Sequence, residues 1–150
     1  MFYFKQKTHL LGLFLFLTFV SCTNGQSPSS DDTAIAEKIG DVRWRLMDIQ
    51  EQPFSYQELF MQRVPFLTLS IEDNKLQGNS SCNTFFADFV LDGHSFTIED
   101  ITLKTKMDCQ NASEHVFFDA LRSIDAVKLD NDDKHLIMIS NEKPILTFQK

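Results

Sequence analysis

From the middle of the chain to its end, short segments alternate between apolar and polar residues, and this pattern limits the choice of fold more than any other. In an extended strand successive side chains point to opposite sides, so such segments become strands with one buried face. Turn residues separate them, including Asp73-Asn74 and Asp92-Gly93. The regular β-α-β order of a parallel sheet is missing, so the sequence predicts antiparallel hairpins. In the leading strand of the first hairpin, the residues predicted to form the buried face are Leu67, Leu69 and Ile71.

A single segment, "NASEHVFFDALRSI", departs from this alternation. Its apolar residues recur at intervals of three and four from Phe117 to Ile124, which places them on one face of a helix. Asn111, with Glu114 three residues later, matches a capping box at the helix start. We therefore predict a β-rich α+β fold: a curved antiparallel sheet or small, partly open β-barrel covered by one helix at about 111–125.

The N-terminal residues carry the pattern of an export signal. Two lysines precede a continuous apolar run, Leu10–Val20, which is too short to span a bilayer as a mature helix. The run ends in Ser21 and Cys22, an ending that resembles the lipobox of bacterial lipoproteins, although Phe19 stands where Leu is usual. Residues 1–21 are accordingly predicted to be a lipoprotein signal peptide, with Cys22 acylated. The alternative is an ordinary signal peptide cleaved nearby.

A polar stretch connects this signal to the folded part. Residues 22–40 begin with "CTNGQSPSSDDT", which contains no large apolar residue and is typical of a flexible tether. The following "AIAEKIG" fits either one helical turn or more tether. The folded domain is predicted over residues 41–150 and opens with a strand around Trp44.

Charge and anchor together predict the location and the partners. Removing residues 1–21 with their two lysines leaves 12 basic and 21 acidic residues, a formal charge of −9. Such a chain is repelled by nucleic acid and by anionic headgroups, so we expect no nucleic-acid partner and membrane attachment through lipid on Cys22. Thr23 supplies no retention signal of the Asp type, which favours the outer membrane of a bacterial cell envelope. The chain is expected to be a monomer that faces the periplasm or the cell surface.

The remaining cysteines form an even pair once Cys22 is assigned to lipid. Thiols outside the cytoplasm tend to form disulfides, which makes Cys82 and Cys109 candidates for a bridge. The bridge would close a loop of 28 residues. It would lower the conformational entropy of the unfolded chain and so stabilise the fold by roughly 3 to 4 kcal/mol. Two buried free thiols are the alternative.

Chemical use of these cysteines would need other partners. A nucleophilic thiol requires a neighbouring base, and none of the available histidines sits in a recognisable catalytic signature. The cysteine and histidine spacings also lack the pairs that bind a metal. We therefore predict no catalytic residue, no metal ligand and no cofactor. The histidines in question are His94, His115 and His135.

The segments "LQGNSSCNTFFADF" and "TKMDC" resemble the two cysteine motifs of the META domain, the HslJ-like heat-shock lipoprotein family. The resemblance covers about Val42 to Phe148. It implies a curved antiparallel sheet with one helix, an association with heat shock and envelope stress, and motif residues that serve the structure rather than an active site. Ser81 and Ala87 stand where the family commonly has Gly, and Asp108 replaces a small residue. The motif residues are Gly78, Asn83, Phe85, Thr105, Met107 and Glu114.

These features predict a non-catalytic, lipid-anchored envelope protein that binds a partner protein in envelope maintenance or the stress response. The alternative is a carrier whose curved sheet holds a small apolar ligand such as a lipid. A third hypothesis is an enzyme in which Asp88 pairs with Glu99. Surface carboxylates of this kind are usually only solvated, which argues against it. The carrier cavity would be lined by five phenylalanines: Phe85, Phe89, Phe96, Phe117 and Phe148.

Overall fold

The computed structural model describes residues 30–61, 63–108 and 113–150. Within these ranges eight strands follow one another in the order in which they pair. They are β1 (Arg43–Ile49), β2 (Phe66–Ser70), β3 (Lys75–Asn79), β4 (Thr84–Asp92), β5 (Ser95–Leu103), β6 (Ala126–Leu129), β7 (His135–Ser140) and β8 (Lys143–Gln149).

Every strand is antiparallel to its neighbours, and β1 also pairs with β8, so the sheet closes into a barrel. This confirms the predicted antiparallel, β-rich fold, and it shows a ring that is closed rather than partly open. The narrowest seam lies between β5 and β6, where one residue pair, Ser95 and Ala126, is in register. A backbone hydrogen bond from Phe96 N to Asp125 O, 3.0 Å long, adds to this seam.

Apolar residues of the alternating pattern fill the interior of the barrel. In β1 the side chains of Trp44 and Leu46 are buried, whereas those of Arg43 and Arg45 are exposed. Each large apolar side chain taken out of water stabilises the fold by about 1.5 to 3 kcal/mol, so the inward faces supply most of the driving force. The fully buried side chains of the other strands are Leu67, Leu69, Leu76, Phe85, Phe96, Leu136, Met138, Leu146 and Phe148.

Three helices accompany the barrel within the described ranges, and α3 is the one that the sequence predicts. The side chains of Phe117 and Leu121 in α3 are fully buried. The ring centroid of Phe117 lies 6.0 Å from that of Phe85 and 6.5 Å from that of Phe148, so α3 packs against the barrel interior. The helices are α1 (Ser30–Ile39), α2 (Tyr56–Leu59) and α3 (Ser113–Arg122).

The end of α3 differs from the prediction, because the helix stops at Arg122. The hydroxyl of Ser123 donates to Ala120 O at 2.7 Å, and its N–H reaches the same oxygen at 3.1 Å, which closes the last turn. Ile124 follows the helix yet is only 4% exposed, so its apolar character serves the core rather than the helix. Asn111, the predicted cap, lies outside the described residues.

Helix α1 occupies part of the stretch predicted to be a tether. The side chains of Ile35 and Ile39 are 6% and 0% exposed and belong to the core. Trp44 Nε1 donates to Ile39 O at 3.0 Å, which joins the helix end to β1. The prediction of a tether over 22–40 is therefore corrected over α1, because two isoleucines one turn apart give this polar helix an apolar side. Residues 22–29 lie outside the described ranges.

A hydrogen-bonded turn joins β6 to β7. Asp130 Oδ1 accepts the N–H groups of Lys134 at 2.8 Å and of His135 at 3.0 Å. Its Oδ2 lies 2.6 Å from His135 Nδ1. The hydrogen bond from the His135 side chain, followed by the one from its backbone, lowers the pKa of Asp130 from the usual 3.8 to about 2.

This lowered pKa predicts how Asp130→Asn changes the acid stability of the barrel. The Asp130 carboxylate stabilises the fold above its unfolded pKa of 3.8, and the stabilisation is lost as the pH falls to about 2. We expect Asp130→Asn to lower the free energy of unfolding near neutral pH and to flatten its fall over that acid range. Urea unfolding followed by Trp44 fluorescence measures both. Asp132→Asn, an exposed carboxylate in the same turn, is the matched control, and equal pH profiles for the two variants contradict the prediction.

Candidate functional site

The side chain of Asn83 lies at the centre of a polar cluster beside the barrel. It is 2% exposed. Its Oδ1 accepts hydrogen bonds from Thr105 Oγ1 at 2.9 Å and from Met107 N at 2.8 Å. Its Nδ2 lies 3.2 Å from each of three acceptors: Met107 O, Glu114 Oε2 and Cys82 Sγ. We call the group formed by Ser80, Asn83, Thr105, Met107 and Glu114 the Asn83 cluster.

Ser80 is a member of the Asn83 cluster that was not predicted from the sequence. It is fully buried, and its Oγ accepts the backbone N–H of Asn83 at 3.0 Å. The same hydroxyl contacts Glu114 Oε1. Serines in a Gly-Asn-Ser-Ser stretch are typical of an exposed turn, and the sequence offers no sign that this one is buried.

The Asn83 cluster joins three parts of the chain that are distant in sequence. Ser80 and Asn83 belong to the turn between β3 and β4, Thr105 and Met107 follow β5, and Glu114 lies in the first turn of α3. Met107 contributes its backbone, since its side chain is 57% exposed. The polar atoms of the cluster therefore bond one another.

Gly78 and Phe85 face each other across β3 and β4 and meet closely. A Cβ atom on Gly78 would lie 2.4 Å from Phe66 O and 2.8 Å from the Phe85 ring. The missing side chain thus provides the space in which the Phe85 ring lies. From there the ring reaches α3, with its centroid 5.1 Å from that of Phe118.

Two residues that depart from the family pattern, Ser81 and Ala87, lie where the backbone is irregular. Ser81 has a φ of 87°, a left-handed conformation that glycine adopts most readily. The Ser81 N–H donates to Asn79 Oδ1 at 3.1 Å, which supports this conformation. Ala87 lies where the register between β4 and β5 shifts, and its small side chain is buried at this bulge.

The predicted sulfur chemistry falls partly outside the described residues. Cys82 is 4% exposed, and its Sγ lies 3.5 Å from Met107 O. Cys109, its predicted partner, is two positions after Met107 in the sequence but outside the described ranges, as is the predicted lipidation site Cys22. The bridge and the acylation therefore stay predictions.

The three histidines of the described ranges, His94, His115 and His135, do not join the Asn83 cluster. His94 Nδ1 lies 2.9 Å from Val127 O, and His135 bonds Asp130 as described above. His115 is exposed on α3. Among the described residues, no group of three or more His, Cys, Asp or Glu side chains is arranged to hold a metal ion.

A groove with a volume of about 710 Å³ lies on the outer faces of β2 to β5, and we call it the β2–β5 groove. Paired strands align outward side chains across it, so that Gln77 faces Thr68 on one side and Phe86 on the other. The half-buried Phe86 ring forms part of its floor, with Lys104 Nζ 5.1 Å from the ring centroid. The charged residues that line the groove are Asp41, Asp73, Asp88, Asp100 and Lys75.

The two carboxylates of the enzyme hypothesis lie opposite each other in the sheet. Asp88 in β4 is in register with Glu99 in β5, and both are exposed. Asp88 also forms an ion pair with Lys75 across β3 and β4. The pair is therefore solvated and partly neutralised by a cation on the neighbouring strand.

The sequence matches the model of the META domain family over residues 37–150. An NMR structure of a protein from Burkholderia xenovorans superimposes with a TM-score of 0.57 at 20% identity, covering 82% of this chain and 89% of that one. Another NMR structure gives a TM-score of 0.55 at 20% identity and covers 76% and 92%. No curated protein matches the chain. At this identity the two solved structures share the fold with the chain and carry no argument about function.

The hydrogen bonds of Asn83 predict a large effect of Asn83→Ala on stability. Removing the amide deprives Met107 N–H of its acceptor and takes one hydrogen bond each from Thr105 Oγ1 and Glu114, so we expect the free energy of unfolding to fall by about 3 kcal/mol. Urea unfolding measures the change. The control is Asn131→Ala in the exposed turn after β6, which should cost less than about 0.5 kcal/mol. Equal losses in both variants would show that the cluster does not stabilise the fold.

Proposed function

The chain belongs to the META domain family, and from this premise we propose that it is a lipid-anchored, non-catalytic protein of the bacterial cell envelope that binds a partner protein in envelope maintenance or the stress response. The observation that carries the proposal is the contrast between two sites. The polar atoms of the Asn83 cluster bond one another, whereas the β2–β5 groove presents its polar and charged atoms to solvent. A binding role is supported by the second site and does not require chemistry at the first.

The predicted anchor would hold the barrel close to a membrane. None of the helices in the part of the chain that the structure describes has the length and apolar character that a membrane span requires. We propose that attachment comes from acyl chains on Cys22 in the outer membrane. Seven residues separate Cys22 from the start of α1 at Ser30, and such a segment reaches at most about 30 Å when fully extended.

The β2–β5 groove has the properties of a surface for a basic partner. Its volume of about 710 Å³ lies within the range of about 300 to 1,000 Å³ that is common for binding sites. The residues that line it carry four carboxylates against one ammonium, which gives the groove a negative field. We therefore propose that the partner inserts Lys or Arg side chains here.

The alternative function, a carrier of an apolar ligand inside the barrel, has less support. The phenylalanines that would line its cavity contact one another: the rings of Phe89 and Phe96 stack at 5.3 Å, and Phe117 lies edge-on to Phe85 and Phe148. All five of these side chains are at most 2% exposed. Such packing favours a filled core over a ligand cavity.

We also propose the disulfide between Cys82 and Cys109. Cys82 is buried against the backbone of Met107, and a chain of two further residues reaches position 109. A bridge at this place would reinforce the connection that the Asn83 cluster makes between the β3–β4 turn and the segment after β5.

Intact mass spectrometry of the protein purified from membranes tests the two sulfur assignments together. We expect a chain that begins at Cys22, carries acyl groups there, and is lighter by two hydrogen atoms because of the bridge. Cys22→Ser should remain unacylated with its signal uncleaved, while Cys82→Ser should keep the acyl groups and lose the bridge. An unmodified Cys22 in the mature protein would contradict the anchor.

Site-specific photo-crosslinking tests the β2–β5 groove. A photoreactive phenylalanine analogue at Gln77, which is exposed within the groove, should capture a defined envelope protein in intact cells. The matched control places the same analogue at Lys128, which is exposed on β6 away from the groove. Capture of the same protein from both positions, or from neither, would count against the groove as the partner surface.

A further inference from the structure

Three of the four arginines of the chain, Arg43, Arg45 and Arg63, line one surface pocket of about 470 Å³. The fourth, Arg122, lies on α3 and pairs with Asp119 at 3.2 Å. In a chain of 21 acidic and 14 basic residues, such a concentration of guanidinium groups is unexpected from composition alone. We call this site the arginine pocket, with Phe60, Met61, Val64 and Phe66 as its apolar members.

The local fold explains how the arginines come together. Alternation along β1 buries Trp44 and turns Arg43 and Arg45 outward. The segment after α2, which carries Arg63, runs beside β1, because Leu46 N donates to Pro65 O at 2.9 Å. The pocket is therefore formed by a rigid strand on one side and by the entry to β2 on the other.

Within the described ranges the three guanidinium groups have no anionic partner. Among the described residues, no Asp or Glu oxygen lies within 4.0 Å of Arg43, Arg45 or Arg63, and none of the three donates a side-chain hydrogen bond. Neighbouring like charges repel each other, and arginine is always protonated, so the repulsion cannot be relieved by losing a proton. A bound anion would remove it.

The arginine pocket also has an apolar side. The guanidinium of Arg43 lies over the Phe66 ring, 4.3 Å from its centroid, which holds its plane while leaving the N–H groups unengaged. Phe60 is buried at the floor, and Val64 and Phe66 are half-buried. Met61 stands at the rim with 84% of its side chain exposed, which is unusual for a large apolar residue.

From this juxtaposition we propose that the arginine pocket binds an amphipathic anion. A phosphate or carboxylate group lies among the three guanidinium groups, which suit planar, bidentate recognition of such oxygens. The apolar stem of the ligand lies against Phe66 and Met61. The rest of the acidic surface repels anions, so binding is confined to this pocket and weakens as salt is added. The proposal does not depend on the anchor or on the β2–β5 groove.

The test is isothermal titration calorimetry with hexyl phosphate as the probe. The full protein, purified from membranes, is held in nanodiscs of zwitterionic lipid, and heats from empty nanodiscs are subtracted. We expect saturable binding of hexyl phosphate. Inorganic phosphate, which has only the anionic group, and hexanol, which has only the apolar stem, should bind more weakly. Arg45→Gln should lower the affinity about tenfold, whereas Arg122→Gln, the same change at the paired arginine, should leave it unchanged.

Each result decides the proposal. Arg45 is exposed, so its replacement should not unfold the barrel, and the thermal unfolding midpoint of the variant checks this. Equal affinity in the two variants, or no saturable binding, overturns the proposal. Repeating the titration in nanodiscs that contain phosphatidic acid then separates the sources of the anion. Loss of hexyl phosphate binding to the wild-type protein in these nanodiscs identifies a lipid headgroup as the occupant, and unchanged binding identifies a free anion.

Discussion

The buried amide of Asn83 is the interaction on which the arrangement of the surrounding chain depends. An amide group removed from water needs a partner for each donor and acceptor, because an unmade buried hydrogen bond costs about 1 to 3 kcal/mol. Asn83 finds these partners in Thr105, Met107 and Glu114. The segment after β5 and the start of α3 are thereby fixed against the β3–β4 turn. The placement of α3 in turn brings Phe117 to the aromatic contacts of the core.

The sequence was sufficient for the features that depend on local periodicity. Alternation predicted the strands because a period of two is visible within a few residues, and α3 was found from its helical spacing in the same way. The hydrogen bonds of Asn83 join residues 24 and 31 positions apart, so no local pattern could reveal them, and only the resemblance to a family pointed to these residues. Helix α1 was predicted only as one of two alternatives, a single helical turn in "AIAEKIG", because its burial depends on two isoleucines in a polar stretch. The arginine pocket was not predicted, because its arginines come from two places. Alternation along β1 shows that Arg43 and Arg45 point outward, but the path of the segment that brings Arg63 beside them is not visible in the sequence.

The net acidic charge of the chain conceals two outer surfaces of opposite sign. The β2–β5 groove is negative and the arginine pocket is positive, and they adjoin each other across β1 and β2. Arg43 of the pocket is in register with Thr68 of the groove, and Asp41 precedes Arg43 by two residues. A charged molecule approaching this side meets a dipolar surface, which orients it before contact. Net charge alone, the quantity available from composition, would have predicted uniform repulsion of anions.

The single residue pair between β5 and β6 has a consequence for the way in which the barrel assembles. It divides the chain into two meanders, residues 43–103 and 126–149, in which every strand pairs with the next one along the sequence. Within each meander, paired strands are close in sequence, so their pairing closes only short loops. The pairing of Arg45 with Gln149 instead joins residues from nearly opposite ends of the domain sequence. Because distant contacts form late and slowly, we expect the two meanders to form first. The rate of folding is then set by their encounter, with α3 as the connection that keeps them together until the ring closes.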